Sequence, residues 1–152
     1  MKTIELTQGK VTIVDDDDFE RLNQWKWRYN TNGYAIRSIS RKPGKRTIRM
    51  HREIIGTPDG METDHINCNK LDNRKENLRF CNRSQNEANR FKYNNNTSGR
   101  KGICWNKDRQ KWVAQIQVNG KGVYLGRFTD IEDAAKAYEK AATEYFGEFA
   151  RV

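Results

Sequence analysis

The stretch Tyr93-Asn94-Asn95-Asn96-Thr97-Ser98-Gly99 constrains the fold of this chain more than any other feature. It is polar, uncharged and without periodicity, so residues 93–98 read as a linker. On its far side a hydrophobic alternation starts afresh. A chain of 152 residues divided there has two small cores rather than one large one. Composition agrees: 35% hydrophobic residues and a mean hydropathy of −1.06 are thin for a single core. Aromatic residues at 11% are too many for a disordered chain. The expected class is α+β, with residues 1–92 as a first domain and 99–152 as a second.

Within the first domain, Thr3–Leu6 and Val11–Val14 flank Gln8-Gly9 and read as paired strands. Asp15 to Asp18 precede Phe19 and Leu22, as in the first turn of a short helix. Consecutive carboxylates diverge at a helix start, which argues against a metal there. Trp25–Tyr29 and Tyr34–Ile39 alternate apolar and basic residues around Asn32-Gly33, a hairpin signal. Pro43-Gly44 breaks the pattern. A short helix is expected over Arg49–Ile55, closed by Gly56. Strands are expected at Glu62–Ile66 and Leu78–Cys81, with a polar Asn-rich loop between them, then a helix over Ser84–Phe91.

In the second domain, Gly102–Trp105, Trp112–Val118 and Gly122–Phe128 give three strands, the last two turning at Asn119-Gly120. Thr129-Asp130-Ile131-Glu132 fits a capping box. It opens a helix whose stripe is Ile131, Ala134, Ala135, Tyr138, Ala141, Ala142 and Tyr145. The small alanines allow that helix to lie close against the sheet.

Net charge is +9, which favours a polyanionic partner. Nine basic residues and no acidic one fall between Arg21 and Arg49. Arg28 and Arg37 lie on the hairpin and are candidates to hold a nucleic-acid backbone. A second basic run spans Arg79 to Lys101. Three cysteines (Cys68, Cys81, Cys104) without a C-x-x-C pair argue against a disulfide framework and a structural zinc. Reduced thiols, no long apolar run and no signal-like N-terminus predict a cytoplasmic protein without a membrane segment.

The chemistry centres on Asp64-His65 at the end of a strand candidate, with Asn77 and Asn86 downstream. Asp64 and the Asn86 side-chain oxygen are hard donors suited to one magnesium-like ion, Mg2+ or Mn2+. His65, beside them and outside the metal shell, is placed to take a proton from water attacking a phosphate.

The stretch from Glu62-Thr63-Asp64-His65-Ile66 through Asn77-Leu78-Arg79-Phe80 to Ser84-Gln85-Asn86 resembles the HNH (β-β-α-metal) nuclease family, in the subgroup of phage and mobile-intron endonucleases. The resemblance implies His65 as general base, Asp64 and Asn86 as metal ligands, and Asn77 as the asparagine that pins the loop. Leu6–Lys10, Val14–Asp18, Trp27, Gly33-Tyr34-Ala35 and Met50-His51-Arg52 resemble the segment preceding that motif. Arg52 is a candidate phosphate clamp. His51 is open between a site role, a phosphate contact and packing.

Trp112–Ile116, Tyr124–Phe128 and Ala134–Tyr138 resemble the ethylene-response-factor (Apetala-two) DNA-binding domain. That resemblance implies a sheet laid in the major groove, with Lys101, Gln115, Gln117 and Tyr124, and Trp105 nearby, at the DNA-contacting positions. Several arginines of the plant domain are absent, and Cys104 takes the place of one. Base specificity therefore does not carry over.

Together these imply a homing-type endonuclease from a phage or mobile element, acting on double-stranded DNA in the host cell. It would be a monomer or weak dimer that nicks or cuts both strands. Two rivals remain. One is a non-catalytic DNA-binding transcriptional regulator, against which the joint presence of Asp64, His65, Asn77 and Asn86 argues. The other is an RNA-binding protein stacking bases on Trp25, Trp27 and Tyr29.

Overall fold

The computed structural model describes residues 1–41, 44–92 and 96–152. Residues 93–95 of the expected linker and Pro43 of the expected turn lie outside them. The chain is α+β, with several small antiparallel sheets and, among the described residues, four α-helices. It divides into two compact units, Met1–Cys81 and Asn82–Val152.

In the first unit, β1 (Lys2–Glu5) pairs with β2 (Val11–Val14). The helix α1 (Asp16–Asn23) follows, with Asp16, Asp17 and Asp18 in its first turn where the helix dipole favours negative charge. β3 (Arg28–Tyr29) and β4 (Ala35–Arg41) form the hairpin read from Asn32-Gly33, with Gly33 at φ +86°. Trp25 and Trp27 do not join the strand. The indole of Trp27 turns into the core and donates to the Leu22 carbonyl at 2.8 Å, ending α1. Instead of stopping after Pro43, the sheet gains a third strand, β5 (Gly44–Arg49), paired along β4. Ile48 is the one apolar side chain in this segment, so no hydrophobic alternation marks it as a strand.

The helix α2 (Met50–Ile55) ends at Gly56, whose φ of +64° gives the left-handed C-terminal turn. The ribbon of β6 (Glu62–His65) and β7 (Leu78–Cys81) completes the unit. One core draws these elements together, with β7 contributing for the ribbon: Ile4, Leu6, Val14, Leu22, Trp27, Ala35, Met50, Ile54 and Leu78. The N-terminal segment is therefore part of the body that carries the β6–β7 ribbon.

The second unit opens with α3 (Arg83–Asn89), capped by Asn82 and Gln85 in a reciprocal capping box. β8 (Ile103–Asn106), β9 (Lys111–Val118) and β10 (Lys121–Phe128) form one sheet with β9 central. The helix α4 (Ile131–Phe146) packs on it through Ala134, Ala135, Tyr138, Ala141 and Ala142. Its cap is Asp130, which accepts from the Glu132 amide at 2.7 Å, one residue later than the expected Thr129. At its far end Phe146 is buried and Tyr145 exposed. Over four turns the 3.6-residue repeat carries the apolar stripe onto 138, 142 and 146. Ala88 of α3 joins this core, so α3 groups with the second unit.

Gly102 lies at φ +71°, and a Cβ there would meet the Tyr138 ring at 2.2 Å and the Gln115 carbonyl at 2.5 Å. Gly102→Ala should cost roughly 2–5 kcal/mol in denaturant unfolding, from backbone strain plus overpacking. Gly120→Ala, at φ +78° in open space, should cost only about 1–2 kcal/mol.

Candidate active site and nucleic-acid interface

His65 ends β6 opposite Leu78, a core residue, so its imidazole faces inward and is 5% exposed. Asp64 projects to the other side of the ribbon, opposite Arg79. Its side chain is 5% exposed, and the carboxylate accepts from Arg79 Nε and Nη2, each at 2.9 Å. Placing a carboxylate so deep is stable because the guanidinium offsets its charge.

Two further rings fix the His65 imidazole. His51, buried on α2, meets it edge-on with centroids 5.0 Å apart, and Tyr34 lies 6.0 Å away. Tyr34 and His51 are also 5.0 Å apart. His51, left open by its sequence, thus packs against the site. Burial, then the nearby His65, Arg49 and Arg52, pull its pKa down to about 3. Burial also lowers the pKa of His65, partly offset by its hydrogen bond to Asn73 and by Asp64 and Asp72. Both rings are neutral near pH 7.

The loop between β6 and β7 is held from within by Asn77. Its Oδ1 accepts from the Asn67 amide at 3.0 Å and its Nδ2 donates to the Asp72 carbonyl at 2.8 Å. The Ile66 amide donates to the Asn77 carbonyl at 2.9 Å. Asp72 accepts from Arg74 and Asn67, and Arg74 first among these holds its carboxyl below the usual range. Asn73, which sequence reasoning missed, is 1% exposed and bonds His65 Nε2 at 3.1 Å. Nothing in periodicity singles it out among the neighbouring asparagines.

Asn86 sits half-buried on α3, in the second unit. Among the described residues no three His, Cys, Asp or Glu side chains gather as a metal cage. The donor chemistry still fits a magnesium-type ion, which commonly takes one or two protein oxygens and completes its shell with water and substrate phosphate. Burial pushes the Cys81 thiol up to about 12, which disfavours its thiolate form.

Of the expected backbone contacts, Arg28 is exposed and donates to Ser38 at 2.9 Å. Arg37 differs from expectation. It forms a two-pronged pair with Glu53 of α2, both bonds 3.1 Å, and lies over Trp25 at 4.4 Å and Trp27 at 5.5 Å. It is a strut joining β4 to the helix that carries His51. Arg52 donates to the Met61 carbonyl at 3.1 Å, steadying the loop before β6.

On the second unit, cross-strand partners share a face. Gln115 pairs with Tyr124, Gln117 with Gly122, and Val113 with both Cys104 and Arg127. These form the sheet's outer face, opposite α4. Tyr124 is 58% exposed. Arg127, also missed, reaches this face because a bulge at Leu125 and Gly126 (φ +137°) resets the alternation. Its Nε donates to Tyr124 Oη at 2.9 Å. Two expectations shift here. Trp105 pairs with Trp112 on the α4 side, their rings 4.9 Å apart. The Lys101 ammonium donates to the carbonyls of Ala88, Arg90 and Arg151. It closes the C-terminal end of α3, where a cation is favoured.

Asp64 and His65 thus lie buried on a strand ribbon, and a separate sheet presents amide and arginine side chains. Two known families match these two parts of the chain. Residues 55–88 match the HNH endonuclease model and residues 98–148 the AP2 domain. A protein of Acanthamoeba polyphaga mimivirus described as an uncharacterized HNH endonuclease is 30% identical over 149 residues, covering 94% of this chain and 74% of that protein. Protein 3.8 of Escherichia phage T7 is 33% identical over 111 residues, covering 72% of this chain and 91% of the relative. The chain thus belongs to the HNH endonuclease family and carries an AP2 domain. No solved structure matches it significantly.

The depressed pKa of His51 ties stability to pH. With about 3 in the folded state against 6.5 ordinarily, protonation favours unfolding. Stability present above 6.5 is lost as pH falls toward 3. Lowering pH from about 8 to about 5 should cost about 2 kcal/mol through this residue. In urea unfolding His51→Phe should lack that share of the acid loss.

Proposed function

We propose that the chain is a metal-dependent, homing-type endonuclease that hydrolyses phosphodiester bonds in duplex DNA, leaving a 5′-phosphate and a 3′-hydroxyl. The observation that carries this reading is His65. It is buried, neutral and ring-packed, it stands next to a buried carboxylate, and the matched HNH segment runs through Asp64, His65, Asn77 and Asn86.

In this reading the matched segment, residues 55–88, is the β-β-α-metal motif of the family. The carboxylate of Asp64 and the amide oxygen of Asn86 would hold a Mg2+ or Mn2+ ion. When bound, that ion offsets charge developing on the leaving oxygen. His65 removes the proton of a water as its oxygen attacks phosphorus, and the bond to the 3′ oxygen breaks, that oxygen taking a proton from solvent to become the hydroxyl. Asn77 keeps the loop behind His65 in one shape. The functional division stays 1–92 for the nuclease and 99–152 for the AP2-type module, although α3 groups by packing with the latter.

Target capture is assigned to the outer face of the second sheet, through Gln115, Gln117, Tyr124 and Arg127, laid in the major groove. Arg28 and Arg52 would contribute backbone contacts in the first unit. One active site per chain favours nicking unless two chains meet on DNA, so a monomer or weak dimer is proposed. A relative from a phage supports action inside a host cell. No helix among the described residues is long and apolar enough to cross a membrane.

Purified protein on supercoiled plasmid bearing its flanking DNA should nick with magnesium or manganese and not with chelator. His65→Ala should lower the nicking rate by about 100-fold or more while still binding. Binding without cleavage by the wild type, with either metal, would favour the regulator instead. Arg127→Ala should weaken DNA binding and reduce its salt dependence by about one counterion, as read by gel shift across salt concentrations.

A further inference from the structure

A directional hydrogen-bond chain runs behind His65, and its sense can be read from its far end. The Leu71 carbonyl can only accept, so the Thr12 hydroxyl, 2.8 Å away, must donate to it. The alternative acceptor, Met50 sulfur, is a weak one at 4.0 Å. With its hydrogen committed, Thr12 Oγ1 offers a lone pair to Asn73. The group meeting it at 2.7 Å is therefore the Asn73 NH2. That turns the Asn73 carbonyl oxygen toward His65 Nε2, 3.1 Å away. An oxygen there accepts, so Nε2 carries the hydrogen and the neutral ring keeps its lone pair on Nδ1.

We infer that Asn73, oriented by Thr12, is a positioning residue that sets the tautomer of His65 and so makes Nδ1 the basic atom. The inference rests on the reading of His65 as general base. Its geometry is built into the fold. The Asn73 amide donates to the Ile13 carbonyl at 2.8 Å, beside Thr12 on β2, so both residues are pinned by the same strand. Both are almost fully buried, where water cannot substitute for a lost partner. The N-terminal hairpin therefore reaches the reaction through two side chains, although neither touches substrate.

The test uses the full chain labelled with nitrogen-15 and free of metal, with ring nitrogens observed by NMR. The wild type should show a protonated Nε2 and an unprotonated Nδ1 on His65. Asn73→Ala should shift His65 toward mixed tautomers. Its maximal nicking rate should fall on the order of 10- to 100-fold, the size of loss that follows removal of the partner orienting a metal-bound imidazole. KM for plasmid should stay within about twofold, since the residue is buried away from DNA. Asn73→Asp, which still accepts from Nε2, should restore most of the rate.

If Asn73→Ala does not fold, the pair Thr12→Val and Thr12→Ser decides. Losing the hydroxyl should mix the tautomers, and keeping it should not. A wild-type ring protonated on Nδ1, or a folded variant lacking the Asn73 or Thr12 partner with an unchanged ring, would overturn the inference. So would a changed ring with an unchanged rate. Wild-type nicking by His65→Ala would instead overturn the general-base reading, whereas the ring measurement needs no cleavage and is decided separately.

Discussion

The seam between strand β2 and the loop 66–77 is the constraint on which the first unit depends. The Ile13 amide donates to the Leu71 carbonyl and the Asn73 amide to the Ile13 carbonyl, both at 2.8 Å, while Thr12 adds its hydroxyl to Leu71. A polar loop of this length would otherwise sample many conformations, at a cost of roughly 1–2 kcal/mol per residue to order. Stitched to a strand on one side and closed by Asn77 on the other, it becomes a fixed wall behind His65. The N-terminal hairpin is thus what holds the loop of a short HNH motif in one shape.

The same seam explains how so many polar groups survive burial. His51, His65, Asn73, Asn77, Asp64 and Asp72 are all buried in one small unit. Each would destabilise the fold if left without a partner. Asp64 has Arg79, Asp72 has Arg74, and the asparagines bond both loop backbone and side chains. The histidines avoid the cost differently, by staying uncharged. A network satisfied in this way has few alternative arrangements, which fixes each of these side chains in one orientation.

What the sequence revealed follows from which signals are local. Asn32-Gly33, the Asp-rich start of α1 and the alternation of β9 depend on near neighbours, and they appear in the structure where expected. The motif residues Asp64, His65 and Asn77 were legible as a pattern, and Asn77 hydrogen-bonds to Asn67 and Asp72 within the loop. Asn73 was not, because its role comes from Thr12, 61 positions away, and one asparagine among several carries no local mark. Arg37 misled for the opposite reason. A basic residue in an acid-free run looks solvent-facing until Glu53 and two indoles are found around it. Trp105 and Arg127 were misassigned or missed because strand register and a single bulge decide which face a residue takes.

The helix α3 shows why motif boundaries and folding boundaries need not coincide. The HNH match ends within it, at residue 88, yet its packing partners belong to the AP2-containing unit. Ala88 enters the core with Ile116 and Tyr138, and its C-terminal carbonyls are closed by Lys101 and Arg151. A chain cut at the linker would leave the helix bearing Asn86 with exposed apolar surface and unfilled carbonyls. An isolated helix of that length is marginal in water. The AP2-type unit therefore holds together part of the nuclease motif as well as presenting a surface to DNA. That shared helix gives a physical reason for the two modules to occur on one chain.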